Sequence, residues 1–343
     1  MRTISHKPLR TEKVAAMGRR NMNSIRLLTI LLLIIVVAII LQPELFPTKS
    51  NFVSMAVQFP EYGLMALGCA LAMIVGGIDL SLVGIANLVA ITAASLLCTS
   101  CPDGTGTGMT LAAILMCTVL GIMIGAVCGM FNGFLVGKIK IPAMLATLGS
   151  AQLFTGIGMI ITKGKAVTGF PYLLVDIGTA TIGGILPVPL LIFILCTAVI
   201  WYVVEKSTFG LRIRMLGTNE KASQLAGQNN LSIFMRTYML GGILAAFSGI
   251  IMLARINSAR ADYGTSYSMQ AILISVLGGV NPNGGFGTVS GVVIATLILQ
   301  CFASCLNMFG NLNSYFRDFA WGLTLIIVIA INHYTAKGRK RKP

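Results

Sequence analysis

Asp79 is the residue whose type and setting most plainly call for a role. It stands in Gly76-Gly77-Ile78-Asp79-Leu80-Ser81, flanked by long apolar runs. A carboxylate there is costly unless it is paired or lines water. Its neighbours give two readings. The glycines permit a chain break, after which Asp79 or Ser81 caps a new helix by accepting backbone N–H groups. Alternatively, the carboxylate touches or gates a passing solute, a path to which Ser81, Asn87, Asn132, Asn281 and Asn283 would add neutral hydrogen-bonding groups.

Bond-making chemistry has no candidate machinery. A phosphate-cradling loop reads G-x-x-x-x-G-K followed by Ser or Thr, and the nearest approach, Gly133 to Gly137-Lys138-Ile139, has neither the spacing nor the hydroxyl. The chain is therefore expected to bind no ATP itself and to need no cofactor. There is no His-Glu-x-x-His and no Gly-x-Ser-x-Gly, and the two histidines, His6 and His333, lie near the ends. No catalytic residue and no metal ligand is assigned. Six of the eight cysteines (Cys69, Cys117, Cys128, Cys196, Cys301 and Cys305) lie in apolar runs, where Cys behaves as a small hydrophobe. Cys98 and Cys101 flank a polar loop with C-x-x-C spacing, open to a strained disulfide or a redox pair and read here as without function.

The elements that must hold these residues are membrane helices. Of the 343 residues 56% are hydrophobic and 10% charged, with a mean hydropathy of +0.86, against about 25% charge in a soluble domain. The net charge of +15 does not indicate nucleic acid, because Lys and Arg gather at the ends and between apolar runs instead of covering one face. The polar stretch before Arg26 is not followed by a cleavage site, so the first apolar run is expected to remain as a helix.

A membrane helix needs about 20 apolar residues, so the intervals between charges predict spans. One lies between Arg26 and Glu44, and a second runs from Lys49 towards Asp79, bent or broken near Pro60. The third, fourth and fifth fall at Asp79–Asp103, Asp103–Lys138 and Lys140–Lys163, the sixth before Glu205 and the seventh at Arg236–Arg255. The 54 residues between Asp262 and Arg317 hold two more around the polar turn Asn281–Thr288, and Asp318–Lys337 holds the tenth. Threaded alternately, the loops place nineteen of the 25 basic residues on one side, which predicts that both termini are cytoplasmic. The expected fold is thus an all-α polytopic membrane protein of about ten helices, broken or re-entrant near 76–84 and 278–291. A basic tail covers residues 1–26, the transmembrane domain 27–336, and a second basic tail 337–343.

Three patterns refine this layout. Glu61-Tyr62-Gly63 precedes Gly76-Gly77 much as Asp262-Tyr263-Gly264 precedes Gly278-Gly279, an echo consistent with an internal repeat around a substrate path. Gly121, Gly125, Gly129, Gly133 and Gly137 form a smooth stripe on the fourth span, suited to close helix packing. In the long loop 205–234, Thr218-Asn219-Glu220-Lys221 reads as a helix start that Gly227 could stop. A short amphipathic helix there would suit docking onto a soluble partner, and a solvated loop is the plainer alternative.

Four stretches, GGIDLSLVG from Gly76, FNGFLVGKIKIPAMLATLG from Phe131, TFGLRIRMLGTNEKASQLAG from Thr208 and GGVNPNGGFGTVSG from Gly278, resemble the sugar permeases of bacterial ATP-binding-cassette (ABC) importers. These are the ribose and simple-sugar type within the branched-chain amino-acid permease superfamily. The resemblance implies a cell-membrane protein with three partners: a cytoplasmic ATPase subunit that binds the ATP, an extracytoplasmic solute-binding protein, and a second permease copy or paralogue. It also implies that the loop helix around Gly217, Asn219, Glu220, Ala222, Ala226 and Gly227 couples to that ATPase. Leu82 departs from the family's pattern by intervening between Ser81 and Val83, which rotates the residues after it by about 100° if helical. The rival readings are an ion-coupled secondary transporter, against which Asp79's near isolation speaks, and an amino-acid permease of the same superfamily.

Overall fold

The computed structural model describes residues 9–101, 106–183 and 186–309, with 319, 322–324 and 326, and side chains from residue 24 onward. Twelve helices occur among them. Eight lie in stretches long and apolar enough to cross a membrane: α1 (Leu9–Leu41), α2 (Lys49–Val75), α3 (Leu82–Ser100), α4 (Thr107–Phe134), α5 (Ala143–Thr162), α7 (Val188–Trp201), α10 (Asn230–Ile256) and α12 (Val289–Asn307). The others are α6 (Tyr172–Thr179), α8 (Thr208–Thr218), α9 (Glu220–Leu225) and α11 (Tyr267–Leu277).

The charge intervals locate these spans, with differences that have physical reasons. Helix α2 runs through Pro60 without a break; its whole second half is buried among neighbours that hold it helical. Helix α11 has 11 residues, about 16 Å at 1.5 Å per residue, roughly half of a ~30 Å hydrocarbon core. It is a half-span, joined to α12 through the polar turn. Helix α10 begins at Asn230 and so contains Arg236, which the charge interval puts at its edge. Helices α4 and α7 each continue into a π-helical turn, Leu135–Ile139 and Tyr202–Lys206. The tenth span lies almost wholly outside the described residues, and the tail from Lys337 wholly so.

Burial sets the layering. Helices α2, α3 and α10 form the centre, while α1, α4, α5 and α7 expose much of their apolar surface, as a bundle with lipid for solvent should. Helix α1 packs on α12, with Ala38 and Phe46 against Cys301 and Cys305. Small residues let the central backbones approach. A Cβ on Gly242 would stand 2.0 Å from the Gly125 carbonyl oxygen of α4, one on Gly249 2.2 Å from the Ala86 carbonyl oxygen of α3, and one on Gly68 of α2 3.3 Å from Gly241 Cα. Helix α10 thus meets three neighbours at three glycines, the packing mode expected where lipid removes any hydrophobic drive between helices. The segment after α5 carries α6 and a two-residue hairpin, β1 (Thr181–Ile182) with β2 (Leu186–Pro187). It is tied to the α10–α11 connection by a bridge between Val167 and Ala259.

Candidate functional site

The first chain break follows α2. Gly76 is left-handed (φ 100°) and closes the helix, and Gly76–Ser81 then runs without helix to the start of α3. Asp79 is buried there. Its Oδ1 accepts the Ser81 backbone N–H at 2.9 Å and the Ser81 hydroxyl at 2.6 Å, while Ser81 Oγ accepts from Asn132 Nδ2 at 2.6 Å. The chain of donors runs from amide to hydroxyl to carboxylate. Ser81 makes no side-chain cap of α3, and Asp79 receives the N–H that precedes the first helical residue. The carboxylate therefore shapes the break and links it to α4, with Thr147 of α5 donating to the Ile78 carbonyl at 3.0 Å. Two buried polar atoms here, Asn132 Oδ1 and Tyr238 Oη, have no hydrogen-bond partner among the described residues. Ser81→Ala strips one bond from Asp79 and, among the described residues, the only one from Asn132 Nδ2. A loss of about 1–3 kcal/mol is expected, read as a melting temperature several degrees lower for the purified protein; an unchanged value would mean that this chain of bonds does not hold the break.

The second break, Gly278–Thr288, separates α11 from α12. Asn281 and Asn283 shape it locally: Asn281 Nδ2 donates to the Gly284 carbonyl at 3.0 Å, and Asn281 Oδ1 accepts the Asn283 N–H at 3.1 Å. Its main chain reaches the last turn of α2, just before the first break, the Gly285 N–H donating to the Ile74 carbonyl at 2.9 Å. Into this contact the end of α8 is wedged. A Cβ on Gly217 would lie 1.9 Å from Ile74 O and 2.7 Å from Gly285 N, and one on Gly284 2.3 Å from Gly217 O. Arg214 of α8 adds a bond to the Gly287 carbonyl at 3.2 Å. The long loop and both breaks, far apart in sequence, thus meet at one backbone junction.

Beyond Gly217 the loop turns outward. Asn219 accepts the Ala222 N–H at 3.0 Å and starts α9, and Gly227 (φ 76°) follows its end. Asn219, Glu220, Ala222, Ala226 and Gly227 are exposed, and Ser223 is buried at the base of α9. Glu220 pairs with Lys140 beyond the π-helical turn of α4, and Asn230 holds the Glu220 carbonyl at 2.9 Å. The stripe Gly121, Gly125, Gly129, Gly133 and Gly137 faces α10 and α3: Cβ atoms would meet Val89, Gly242 O, Tyr238 O, Met235 and Phe234 respectively, at 2.2–2.9 Å. Leu82, the departure from the family's pattern, begins α3 and lays its side chain against Gly68 and Gly241.

Asp79, Ser81 and Asn132 are brought together, and Asn281 and Asn283 adjoin them through the junction. Asn87 is elsewhere, donating to the Ala261 and Tyr263 carbonyls at 2.9 and 2.8 Å. The echoed triplets also diverge, since Glu61 is fully buried in α2 and Asp262 is half exposed in a turn beside Arg260. Cys98 and Cys101 are free thiols.

In the sequence Glu61 stands out only as part of the echoed triplet and Arg255 only as the end of a charge interval, and the structure gives them more. Arg255 grips Glu61 with two nitrogens, Nη2 to Oε2 at 3.0 Å and Nε to Oε1 closer still. Tyr267 donates to Oε2 at 3.1 Å, and Ser248 donates to the Glu61 carbonyl at 2.7 Å. One residue of α2 so ties α10 and α11. The available signal was that Glu61 lies amid apolar sequence.

A family model described as branched-chain amino acid transport system / permease component matches residues 51–329, from the start of α2 to beyond α12. The chain is 32% identical over 308 residues to the ribose import permease protein RbsC of Haemophilus influenzae, covering 88% of this chain and 91% of that one. It is also 32% identical over 306 residues to the Bacillus subtilis ribose import permease protein RbsC, covering 88% and 90%. To the autoinducer 2 import system permease protein LsrC of Yersinia pestis it is 31% identical over 269 residues, covering 78% and 73%.

Proposed function

The chain belongs to the branched-chain amino acid transport system / permease component family, and from this premise we propose that it forms the translocation path of an ABC importer for a sugar or sugar-like solute. It sits in the bacterial cell membrane as a multi-pass subunit with ten spans and both termini cytoplasmic. ATP is bound and hydrolysed by a separate cytoplasmic subunit, an extracytoplasmic binding protein delivers the solute, and a second permease copy or paralogue completes the path. The solute crosses chemically unchanged.

The observation that carries the reading is the junction of Gly217 with Ile74 and Gly285. A force on the exposed loop helix bears at once on both chain breaks, and interrupted helices are where transporters place their substrate path. The outer surface of that loop suits docking: Leu211, Met215 and Leu225 are 66%, 46% and 90% exposed, beside the polar edge of Asn219 and Glu220. Neutral amides and hydroxyls around Asp79 match a hydroxyl-rich, uncharged solute.

Reconstitution with the ATPase and binding protein in liposomes tests this. Uptake should require ATP and both partners; uptake driven by an ion gradient without the ATPase would overturn the proposal. Docking has its own test. Glu220→Ala with Gly227→Leu should lower the amount of co-purified ATPase several-fold, and full retention of a coupled ATPase would show that it docks elsewhere.

A further inference from the structure

Helices α2 and α11 are fastened to each other at two levels, and the turn that follows α11 adds a third tie to α2. Tyr267 donates to Glu61 at 3.1 Å and stacks obliquely on Tyr62, ring centres 5.9 Å apart. Midway, Ser275 donates to the Ala66 carbonyl at 3.0 Å. At the far end Gly285 donates to the Ile74 carbonyl at 2.9 Å. A pair of rods joined so often moves as one body.

Against α10 the attachment differs. Helix α2 crosses α10 where Gly68 meets Gly241, backbone near backbone with no side chain of either helix between them, and the Leu82 side chain of α3 lies against both. Such a smooth crossing resists rotation less than interlocked side chains do. On one side of it lies Ile74, about 9 Å along the helix, where Gly217 presses. On the other lies Glu61, about 10 Å away at 1.5 Å per residue, held to α10 by Arg255 and Ser248. The two arms are nearly equal.

We infer that α2 with α11 is a lever pivoting at Gly68–Gly241, and that the Glu61–Arg255 pair is the latch at its far end, opened when the loop helix presses at Gly217. The inference rests on the transport reading above and adds a gate to it. An ion pair suits a latch. With Arg255 partly open to its surroundings and Glu61 buried behind it, separation exposes the carboxylate to water, so the closed state is favoured without being permanent. Both breaks lie on the driven side, and the latch lies on the side where the solute would enter.

A matched pair of double variants tests it in the reconstituted complex. Glu61→Cys with Arg255→Cys joins α2 to α10, and Glu61→Cys with Tyr267→Cys joins α2 to α11. Both are treated with one short, reductant-cleavable bis-thiosulfonate, beside the single variants. Cross-linking 61 to 255 should lower ATP-driven uptake at least tenfold and reduction should restore it, which also shows that the variant is folded. Both double variants lack the ion pair, so each is compared with itself before treatment, and cross-linking 61 to 267 should leave uptake within twofold of that same variant untreated. Undiminished uptake with 61 joined to 255 would overturn the latch, and arrest by the 61–267 link would overturn the single body. Failure of the transport reading would look different, since the unsubstituted complex would then show no ATP-driven uptake.

Discussion

Gly217→Ala is expected to lower ATP-driven uptake at least tenfold while the ATPase still co-purifies in full amount. The new methyl group would stand 1.9 Å from Ile74 O and 2.7 Å from Gly285 N, far inside contact distance. Both atoms are main chain, one in the last turn of α2 and one in the second break, so neither can swing aside as a side chain end could. Helix α8 must retreat, or the Gly285–Ile74 bond must open. Overpacking of this kind costs about 1–3 kcal/mol, and a tenfold change in a conformational equilibrium is about 1.4 kcal/mol, so one methyl is enough to bias the two access states. The exposed docking residues Asn219 and Glu220 lie beyond the clash, which is why binding should survive. Uptake within twofold of the unsubstituted protein would show that the junction transmits nothing.

The second large effect concerns folding. Gly242→Val should leave little or no monodisperse protein after extraction in detergent, because its Cβ would lie 2.0 Å from Gly125 O and 3.1 Å from Gly129 Cα. The helices α4 and α10 would have to part along their whole contact, losing dispersion attraction that nothing in lipid replaces. Gly156→Val on α5 is the control, since a Cβ there meets nothing within 4 Å. It should extract and melt like the unsubstituted protein. Equal yields of the two variants would mean that the glycine seam does not hold the bundle.

What the sequence made legible divides along physical lines. The breaks at Gly76 and Gly278 were visible because glycine pairs and polar residues interrupt apolar runs, and the stripe from Gly121 was visible because its period matches a helix. The partner of that stripe was not, since the α10 residues it meets, Phe234, Met235, Tyr238 and Gly242, share no residue type that marks a seam. Charge intervals found the long spans because water and lipid sort charge by depth. The same rule hid Glu61 and Arg255, for a method that treats each charge as a boundary cannot see two that neutralise each other inside. That Asn87 stands apart from the Asp79 group was not legible either: its amide closes a connection 174 residues away, a distance that local pattern does not reach. Asp79 came out between its two readings. It orders the break as a structural group and leaves Asn132 Oδ1 and Tyr238 Oη beside it without partners among the described residues.

The junction of Ile74, Gly217 and Gly285 is made by carbonyls, amide hydrogens and the absence of side chains. Under the coupling proposed above, substitutions among the side chains that line the path leave this main-chain junction as it is. Diversification of diet and preservation of drive become separable, and an alanine scan confined to larger residues would map the first while passing silently over the second.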